Sequence, residues 1–198
     1  MTYAIIGSGA IGSAIAKHFA HSNIDVLVAN SRGPASLTDL VNELGTHVKA
    51  ATIDEALKAD IVFLAVPFTA VTDAVAKAGP WQNRIVIDAT NAINFSNFTP
   101  ADLGGRLSSH IVAESVPGAR VVKAFNTLPA AILAGDPNNN GGHRVLFISG
   151  DHAMANAEVE ALAERLGFAT VDLGRIDEGG RLQQFGGPLM VQNLLKYG

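Results

Sequence analysis

Residues 3–12 read Tyr-Ala-Ile-Ile-Gly-Ser-Gly-Ala-Ile-Gly, an apolar run followed at once by a GxGxxG motif and a helical pattern. In this context the motif indicates a strand, a tight turn and a helix that bind a dinucleotide. The first glycine permits the turn, the second lets the backbone approach a pyrophosphate, and the third lets the helix pack close to the strand. The helix directs its free N–H groups at the phosphates. The predicted pyrophosphate contacts are Gly7, Ser8, Gly9, Ala10, Ile11 and Gly12.

The end of the second predicted strand indicates which dinucleotide binds. Residues 24–29 form this strand, and Asn30-Ser31-Arg32 follow it. Enzymes that select NAD usually place an acidic residue here to bind the ribose 2′-hydroxyl, whereas this chain has none. A hydroxyl and a planar guanidinium suit a phosphate instead. The sequence therefore predicts NADP(H) rather than NAD(H), with Asn30, Ser31 and Arg32 as cofactor contacts.

Composition narrows the class of protein. The chain has 198 residues, of which 48% are hydrophobic and 16% charged, and its net charge is −4. This length and composition predict a single NADP-binding domain over residues 1–198. The acidic balance argues against nucleic-acid and anionic-membrane partners. The absence of cysteine excludes disulfides and thiolate catalysis. No apolar run approaches the ~20 residues of a membrane span, so we expect a cytoplasmic protein.

Apolar runs alternate with helical patterns along the whole chain. The fully apolar run at 61–66 is typical of a strand covered on both faces. The alternation predicts an α/β fold: a doubly wound parallel sheet of the Rossmann type, with the first strand central. A helical segment over 181–197, interrupted by Gly186-Gly187-Pro188, predicts a C-terminal helical elaboration. Apolar residues in this segment either cover the core or form a homodimer contact.

Ligands of such a sheet lie beyond the carboxyl ends of its strands. Three further groups of residues follow predicted strands and should surround the nicotinamide. They are Val66, Pro67 and Phe68; Asn91 and Ala92; and Asn126, Thr127, Leu128 and Pro129. The apolar surface of the first group suits a flat ring, although ordinary packing of Phe68 is an equal alternative. Asn91 could bind ribose or carboxamide, or simply form a turn.

Acid–base and metal-binding patterns are sparse. The histidines are scattered, and His18 and His21, on or just past the first helix, are expected to be solvated. Lys123 lies inside a predicted strand, where packing is its expected role. We therefore predict neither a metal site nor a catalytic side chain. Reduction of a carbonyl requires a positioned proton donor, whereas hydride transfer between NADPH and a flavin-like ring does not depend on one.

The order of these motifs resembles a known family. The glycine motif, Asn30-Ser31-Arg32, Val66-Pro67, residues 121–127 (Val-Val-Lys-Ala-Phe-Asn-Thr) and residues 181–195 occur in the order seen in NADP-dependent deazaflavin-coenzyme oxidoreductases. They are also similar to the cytosolic oxidoreductase domain of the six-transmembrane metalloreductases.

The resemblance implies a role for each group of residues. Gly7–Gly12 would hold the pyrophosphate, Ser31 and Arg32 the 2′-phosphate, and Val66-Pro67 the nicotinamide half. Residues 126–129 would lie near the ring that exchanges hydride. In the archaeal enzymes a histidine precedes the threonine of this loop, whereas here the residue is Asn126. A flavin or another acceptor therefore stays open beside the deazaflavin.

Three functions are consistent with these observations. The first is an NADPH-dependent oxidoreductase that transfers hydride to a small-molecule acceptor of the flavin or deazaflavin type. The second is a reductase related to imine or hydroxyacid enzymes, which typically needs an all-helical second domain. The third is a non-catalytic NADP(H)-binding or redox-sensing module. Turnover with candidate acceptors separates the first from the third.

Overall fold

A computed structural model describes residues 1–198, and a mixed β-sheet runs through it. The strands are β1 (Tyr3–Ile6), β2 (Val26–Ala29), β3 (Val48–Ala50), β4 (Ile61–Leu64), β5 (Ile85–Asp88), β6 (Ile93–Asn94), β7 (Thr99–Pro100), β8 (Arg120–Lys123), β9 (Asn138–Asn139), β10 (Gly142–Gly150), β11 (Ala169–Asp172) and β12 (Leu195–Tyr197). The α-helices are α1 (Ala10–His21), α2 (Thr38–Leu44), α3 (Ile53–Ala56), α4 (Val71–Val75), α5 (Ser108–Ser115), α6 (Ala130–Leu133), α7 (Ala153–Arg165) and α8 (Arg181–Gln183). Short 3₁₀ helices at Pro34–Leu37 and Phe68–Ala70 precede α2 and α4, and a π-helical turn at Ile176–Gly180 precedes α8.

The main sheet has the strand order β3-β2-β1-β4-β5-β8-β10-β11. All pairs from β3 to β8 are parallel, and β1 lies between β2 and β4. The predicted doubly wound parallel sheet with a central first strand is therefore confirmed for this part of the fold. The glycine motif and the ends of β2, β4, β5 and β8 therefore lie together at the carboxyl edge of this sheet, on one side of the molecule.

The sheet is covered on both faces, as its apolar strands predict. In β1, Tyr3 and Ile5 belong to one buried cluster, whereas Ala4 and Ile6 belong to the other. The first cluster includes residues of α1 and α7, and the second includes residues of α3, α4 and α5. Since successive side chains of a strand point to opposite faces, a wholly apolar strand needs two such layers.

The direction of β10 differs from the parallel prediction. This strand runs antiparallel to β8 through the pairs Ser149–Lys123 and Gly150–Val122, and it runs parallel to β11. Strands β9 and β12 also pair with β10 in the antiparallel sense. A parallel neighbour requires a crossover, usually helical, and the only helix between β8 and β10 is the single turn of α6. The sheet as a whole is therefore mixed.

The C-terminal helical elaboration is confirmed, but it is short. The π-helical turn and α8 end at Gln183, and Gln184 is already extended, with φ −60° and ψ 150°. The chain then turns through Gly186-Gly187-Pro188 and finishes in β12 rather than in the predicted helix. Four apolar side chains of this segment are half-buried, namely Phe185, Leu189, Met190 and Leu195, whereas Leu182, Val191, Leu194 and Tyr197 are exposed.

Candidate functional site

The turn between β1 and α1 requires glycine at two positions for steric reasons. Gly7 has a φ of +111°, and a Cβ on it would lie 2.2 Å from the carbonyl oxygen of Ala65. A Cβ on Gly12 would lie 1.9 Å from the carbonyl oxygen of Gly7. At Gly9, by contrast, a Cβ would meet nothing within 4 Å. The first and third glycines of the motif are therefore needed by the fold, whereas the second leaves open space above the start of α1.

The N-terminus of α1 adjoins this open space. Gly9 is the residue that caps the helix, no side chain accepts a hydrogen bond from its first turn, and that turn contains no acidic residue. The first N–H groups of a helix have no partner within the helix, and they lie at the positive end of its dipole. The first turn, which includes Ala10 and Ile11, can therefore bind an anion that occupies the space beside Gly9.

The residues after β2 divide into one buried and two exposed side chains. Asn30 is buried, and its carboxamide makes hydrogen bonds only within the protein. Ser31 and Arg32 are exposed, and the Arg32 guanidinium makes neither a hydrogen bond nor an ion pair. The acidic residue of this strand region, Asp25, lies before β2 and pairs with Lys49 at 2.8 Å. Residues 30–37, between β2 and α2, contain no carboxylate, so this loop has no negative charge that would repel a phosphate.

The two motifs line one cavity of about 480 Å³. It brings together eight of the predicted cofactor residues: Gly7, Ser8, Gly9, Asn30, Ser31, Arg32, Val66 and Pro67. Its other lining residues are Ile6, Ile53, Ala65, Ala70, Asp73 and Ala74, so Arg32 and Asp73 are its charged groups. A cavity of about 500 Å³ at the other end of α1 contains none of the predicted residues.

The remaining predicted residues do not line this cavity. Ala10, Ile11 and Gly12 lie in the first turn of α1, and half-buried Phe68 begins the 3₁₀ helix that precedes α4. Asn91 follows β5, and Ala92 beside it is buried. Residues 126–129 follow β8, two strands away from β4 in the sheet. These positions all lie on the carboxyl side of the sheet, as predicted from the sequence.

The loop after β8 is covered by the C-terminal segment. Asn126 and Asn91 hold the loops after β8 and β5 together, because each donates from its side-chain amide to an oxygen of the other, at 2.8 and 3.0 Å. Asn126 also donates to the carbonyl oxygen of Gln183 at 2.7 Å. The backbone N–H of Val191 donates to the carbonyl oxygen of Thr127 at 2.8 Å. Asn126, Thr127 and Leu128 are buried, whereas Pro129 is exposed.

A buried ion pair below these loops was not predicted. Lys123, the last residue of β8, donates from Nζ to Oδ2 of Asp88 at 3.0 Å and to the carbonyl oxygen of Thr90 at 3.1 Å. Asp88, the last residue of β5, also accepts hydrogen bonds from the hydroxyl groups of Thr90 and Ser109, each at 2.6 Å. Lys123 therefore neutralises a buried carboxylate instead of merely packing on the sheet.

The pKa of Asp88 reflects this environment. Burial alone would raise it, but the charge of Lys123 and the hydrogen bonds from Ser109 and Thr90 hold the pKa of this carboxyl below its ordinary value. The sequence offered one usable signal, since Asp88 ends one apolar stretch and Lys123 interrupts another. Only the sheet order, which places β5 beside β8, shows that the two charges meet.

The prediction that His18 is solvated is wrong. Its imidazole is buried, contacts the Phe168 ring edge-on at a centroid distance of 4.8 Å, and donates from Nε2 to the carbonyl oxygen of Leu133 at 2.5 Å. Burial lowers the pKa of His18, although the hydrogen bond to Leu133 opposes that shift. His21, one turn later on α1, is exposed as predicted. His18 thus belongs to the packing between α1 and α6.

Two further properties concern the whole chain. Its histidine, aspartate and glutamate side chains form no group of three or more that could hold a metal ion. None of its helices combines the length and the apolar character that crossing a bilayer requires.

Comparisons with known proteins agree with this geometry. Residues 2–92, which contain the whole cavity, match the family model described as NADP oxidoreductase, coenzyme F420-dependent. The structure is similar to that of a hypothetical protein, SMa0349, from Sinorhizobium meliloti, with a TM-score of 0.97 and 56% identity over 99% of this chain and 96% of that one. It is also similar to a putative F420-dependent NADP-reductase from an Arthrobacter species, with a TM-score of 0.75 and 27% identity over 89% of this chain and 86% of that one.

Among curated proteins, Metalloreductase STEAP3 from Rattus norvegicus is 26% identical over 87% of this chain. The match covers 33% of the rat protein, so this chain spans about a third of the length of the curated relatives that it matches. The glycine motif, the strand order and these similarities lead to one conclusion. Residues 2–92, which include the whole cavity, are similar to coenzyme F420-dependent NADP oxidoreductases, and the fold of nearly the whole chain is similar to that of a putative reductase of this kind.

Proposed function

We propose that the 480 Å³ cavity binds NADP(H) and that the protein transfers hydride between this cofactor and a flavin or deazaflavin ring. The observation that carries the cofactor assignment is the unpaired guanidinium of Arg32, which lines the same cavity as Gly7 and Gly9. A cation without a protein partner at this strand end, in a loop that contains no acidic residue, is suited to the 2′-phosphate that distinguishes NADP(H) from NAD(H).

The residues present fit the rest of the cofactor. The open space at Gly9 and the uncapped start of α1 would accommodate the pyrophosphate, and Ser31 would add a hydroxyl donor beside Arg32. Ile53, Ala70 and Ala74 form an apolar wall on the side of α3 and α4, where a base can pack. Val66 and Pro67, with Phe68, Asn91 and Ala92 beyond them, would surround the nicotinamide half.

The chemistry rests on the bound cofactor, which supplies the hydride. The only ionisable residues of the cavity are Arg32 and Asp73, and neither belongs to the loops assigned to the nicotinamide. The side chains of this chain would therefore act by placing two rings in contact and excluding water rather than by transferring a proton. This favours an acceptor that takes up hydride without a general acid from the protein.

Residues 126–129 cannot all contact an acceptor directly. Of these four residues, only Pro129 is exposed. We propose that Pro129, with exposed Pro67 and half-buried Phe68, contacts the acceptor ring. Asn126, Thr127 and Leu128 would support this surface from below, through the hydrogen bonds to Asn91, Gln183 and Val191.

The chain is also proposed to act as one nucleotide-binding unit over residues 1–198. The support is that one sheet includes every strand except the separate pair β6–β7, and that the segment after α8 returns to this sheet as β12.

Substitution of Arg32 tests the cofactor assignment. Loss of one charge-assisted hydrogen bond costs ~1.5–3 kcal/mol, so Arg32→Ala should weaken NADPH binding roughly ten- to a hundredfold and leave NADH binding nearly unchanged. Isothermal titration calorimetry measures both affinities. Arg181→Ala is the matched control, because Arg181 is also exposed and unpaired but lies outside the cavity. Equal losses for NADPH and NADH would contradict a contact between Arg32 and the 2′-phosphate.

Isotope transfer tests the acceptor assignment. Stopped-flow reduction with NADPH deuterated stereospecifically at the nicotinamide C4 would use FMN, FAD and coenzyme F420 as acceptors. We expect the absorbance of one of them to fall, at a rate that the transferred deuterium slows. The label should remain on C5 of a reduced deazaflavin, whereas on N5 of reduced FMN or FAD it exchanges with solvent, so for the flavins the isotope effect on the rate is the readout. Tight NADPH binding without transfer to any of these would support the non-catalytic module instead, and reduction of a cyclic imine would support the imine reductase class.

A further inference from the structure

The carboxamide of Asn30 connects the two loops that line the cofactor cavity. Its Nδ2 donates to Oγ of Ser8 in the glycine motif at 2.8 Å and to Oγ of Ser36 at 3.0 Å. Its Oδ1 accepts a hydrogen bond from the backbone N–H of Arg32 at 2.9 Å. Asn30 as a whole residue is 9% exposed. Both of its polar atoms are therefore used within the protein, and its role differs from that of a cofactor contact.

The orientation of this carboxamide follows from its partners. The backbone N–H of Arg32 can only donate, so the atom facing it must be the amide oxygen. The amide nitrogen therefore faces Ser8, and the Ser8 hydroxyl must accept this bond. No protein group accepts a hydrogen bond from the Ser8 hydroxyl, whose proton thus stays available. Since Ser8 lines the cavity, that proton can be donated to a ligand oxygen there.

We propose that Asn30 is a positioning residue that makes Ser8 a hydrogen-bond donor to the cofactor phosphates. The same carboxamide holds the Arg32 backbone, so it also fixes the 2′-phosphate loop against the glycine motif. This inference rests on the proposed binding of NADP(H) in the cavity. The residue after β2 would then do more than avoid repelling a phosphate, since its carboxamide would orient the Ser8 hydroxyl.

A carboxylate at this position would reverse the arrangement. Aspartate has the shape of asparagine and would still accept the hydrogen bond from Arg32. Its second oxygen cannot donate to Ser8, so the Ser8 hydroxyl would turn its proton toward residue 30 and present a lone pair to the phosphates. Alanine at position 30, although it removes every bond of the side chain, leaves the Ser8 proton free. Asn30→Asp should therefore weaken NADPH binding more than Asn30→Ala does. A purely structural role predicts the opposite order, because alanine removes every hydrogen bond of the side chain.

A double-mutant cycle between Asn30 and Ser8 tests this inference, with NADPH affinity measured by calorimetry. Asn30→Asp should weaken NADPH binding roughly tenfold or more, the effect of a lost bond to a charged group. Asn30→Ala should weaken it less than Asn30→Asp does. When Ser8 is already replaced by alanine, the loss of NADPH affinity caused by Asn30→Asp should be at least roughly threefold smaller. The effects of the two substitutions should not be additive, because the two residues share one hydrogen bond. Repulsion between the introduced carboxylate and the 2′-phosphate is the same in both backgrounds and cancels in the cycle.

Two controls separate the outcomes. Asn42→Asp adds the same charge on an exposed turn of α2 outside the cavity and should leave NADPH affinity unchanged. Thermal melting of each variant shows whether it is folded, and Asn30→Ala in both backgrounds extends the comparison if Asn30→Asp does not fold. Additive losses, or a larger loss for Asn30→Ala than for Asn30→Asp, would overturn the inference. A wild-type protein that does not bind NADPH would instead contradict the proposed function itself.

Discussion

Substitution of Lys123 by methionine should destabilise the protein strongly and in a pH-dependent way. Lys123 and Asp88 are 1% and 0% exposed, so the substitution leaves a carboxylate in the interior without its counter-charge. Breaking a buried pair by removing one partner costs about 3–5 kcal/mol. Asp88 keeps the hydrogen bonds from Thr90 and Ser109, which favours the lower end of this range. This is a large part of the ~5–15 kcal/mol that stabilises a typical domain.

The pH dependence follows from the change at Asp88. In the wild type its pKa lies below the ordinary value of about 3.9. The unfolded chain therefore binds a proton more readily, and the stability that the pair contributes is present above about pH 4 and lost as the pH falls below it. Without Lys123, burial is opposed only by the hydrogen bonds from Ser109 and from the hydroxyl and backbone N–H of Thr90, so we expect the pKa of Asp88 to rise. The folded variant then takes up a proton more readily, and its deficit relative to the wild type should shrink between pH 7 and pH 5.

Urea unfolding followed by the fluorescence of Trp81, the single and buried tryptophan, measures both effects. The double variant Asp88→Asn/Lys123→Met should recover much of the loss, since it removes the unpaired charge. Arg106→Ala is the control for an ion pair in solvent, because both Arg106 and Glu114 are exposed, and it should barely move the midpoint. A deficit of Lys123→Met that is the same at pH 7 and pH 5, or no recovery in the double variant, would refute the assignment of a desolvated ion pair.

Three other predictions test the site and the core. Gly9→Ala should fold normally yet bind NADPH at least roughly tenfold more weakly by calorimetry, because its methyl group enters the space proposed for the pyrophosphate; Gly12→Ala should instead lower the melting temperature. Pro67→Arg should lower the stopped-flow rate of acceptor reduction while NADPH still binds, whereas an unchanged rate at saturating NADPH would exclude Pro67 from the acceptor surface. Because burial lowers the pKa of His18, the unfolded chain binds its proton first, so stability should decline as the pH falls below about 6.5. Urea midpoints at pH 7.5 and 5.5 should show a smaller decline for His18→Gln, and an equal decline would contradict this assignment.

Local signals were sufficient to predict the cofactor half of the candidate site. The positive φ of Gly7 and the close contact between Gly12 and Gly7 lie within a turn of a few residues, so the motif is readable in the sequence itself. The close approach of Gly7 to Ala65, by contrast, arises only when β1 and β4 pair. The apolar runs that became β1 and β4 indicate strands covered on both faces, and the alternation of strands and helices specifies parallel neighbours. The loops after successive parallel strands meet at one edge of the sheet, which is why residues distant in the chain, such as Arg32 and Pro67, could be assigned to one cavity.

The remaining features depend on contacts between residues far apart in the chain, which no local pattern contains. The direction of β10 follows from how the chain crosses after β8, not from the apolar character of the strand. Leu128, which the sequence placed near the acceptor ring, is buried, so its side chain packs in the core rather than contacting a ligand at the surface. The burial of His18 against Leu133, the pairing of Lys123 with Asp88 and the internal bonds of Asn30 likewise arise only on folding. A polar side chain in a sequence shows which hydrogen bonds it can make, but the packing around it determines which partner it meets and whether water is excluded.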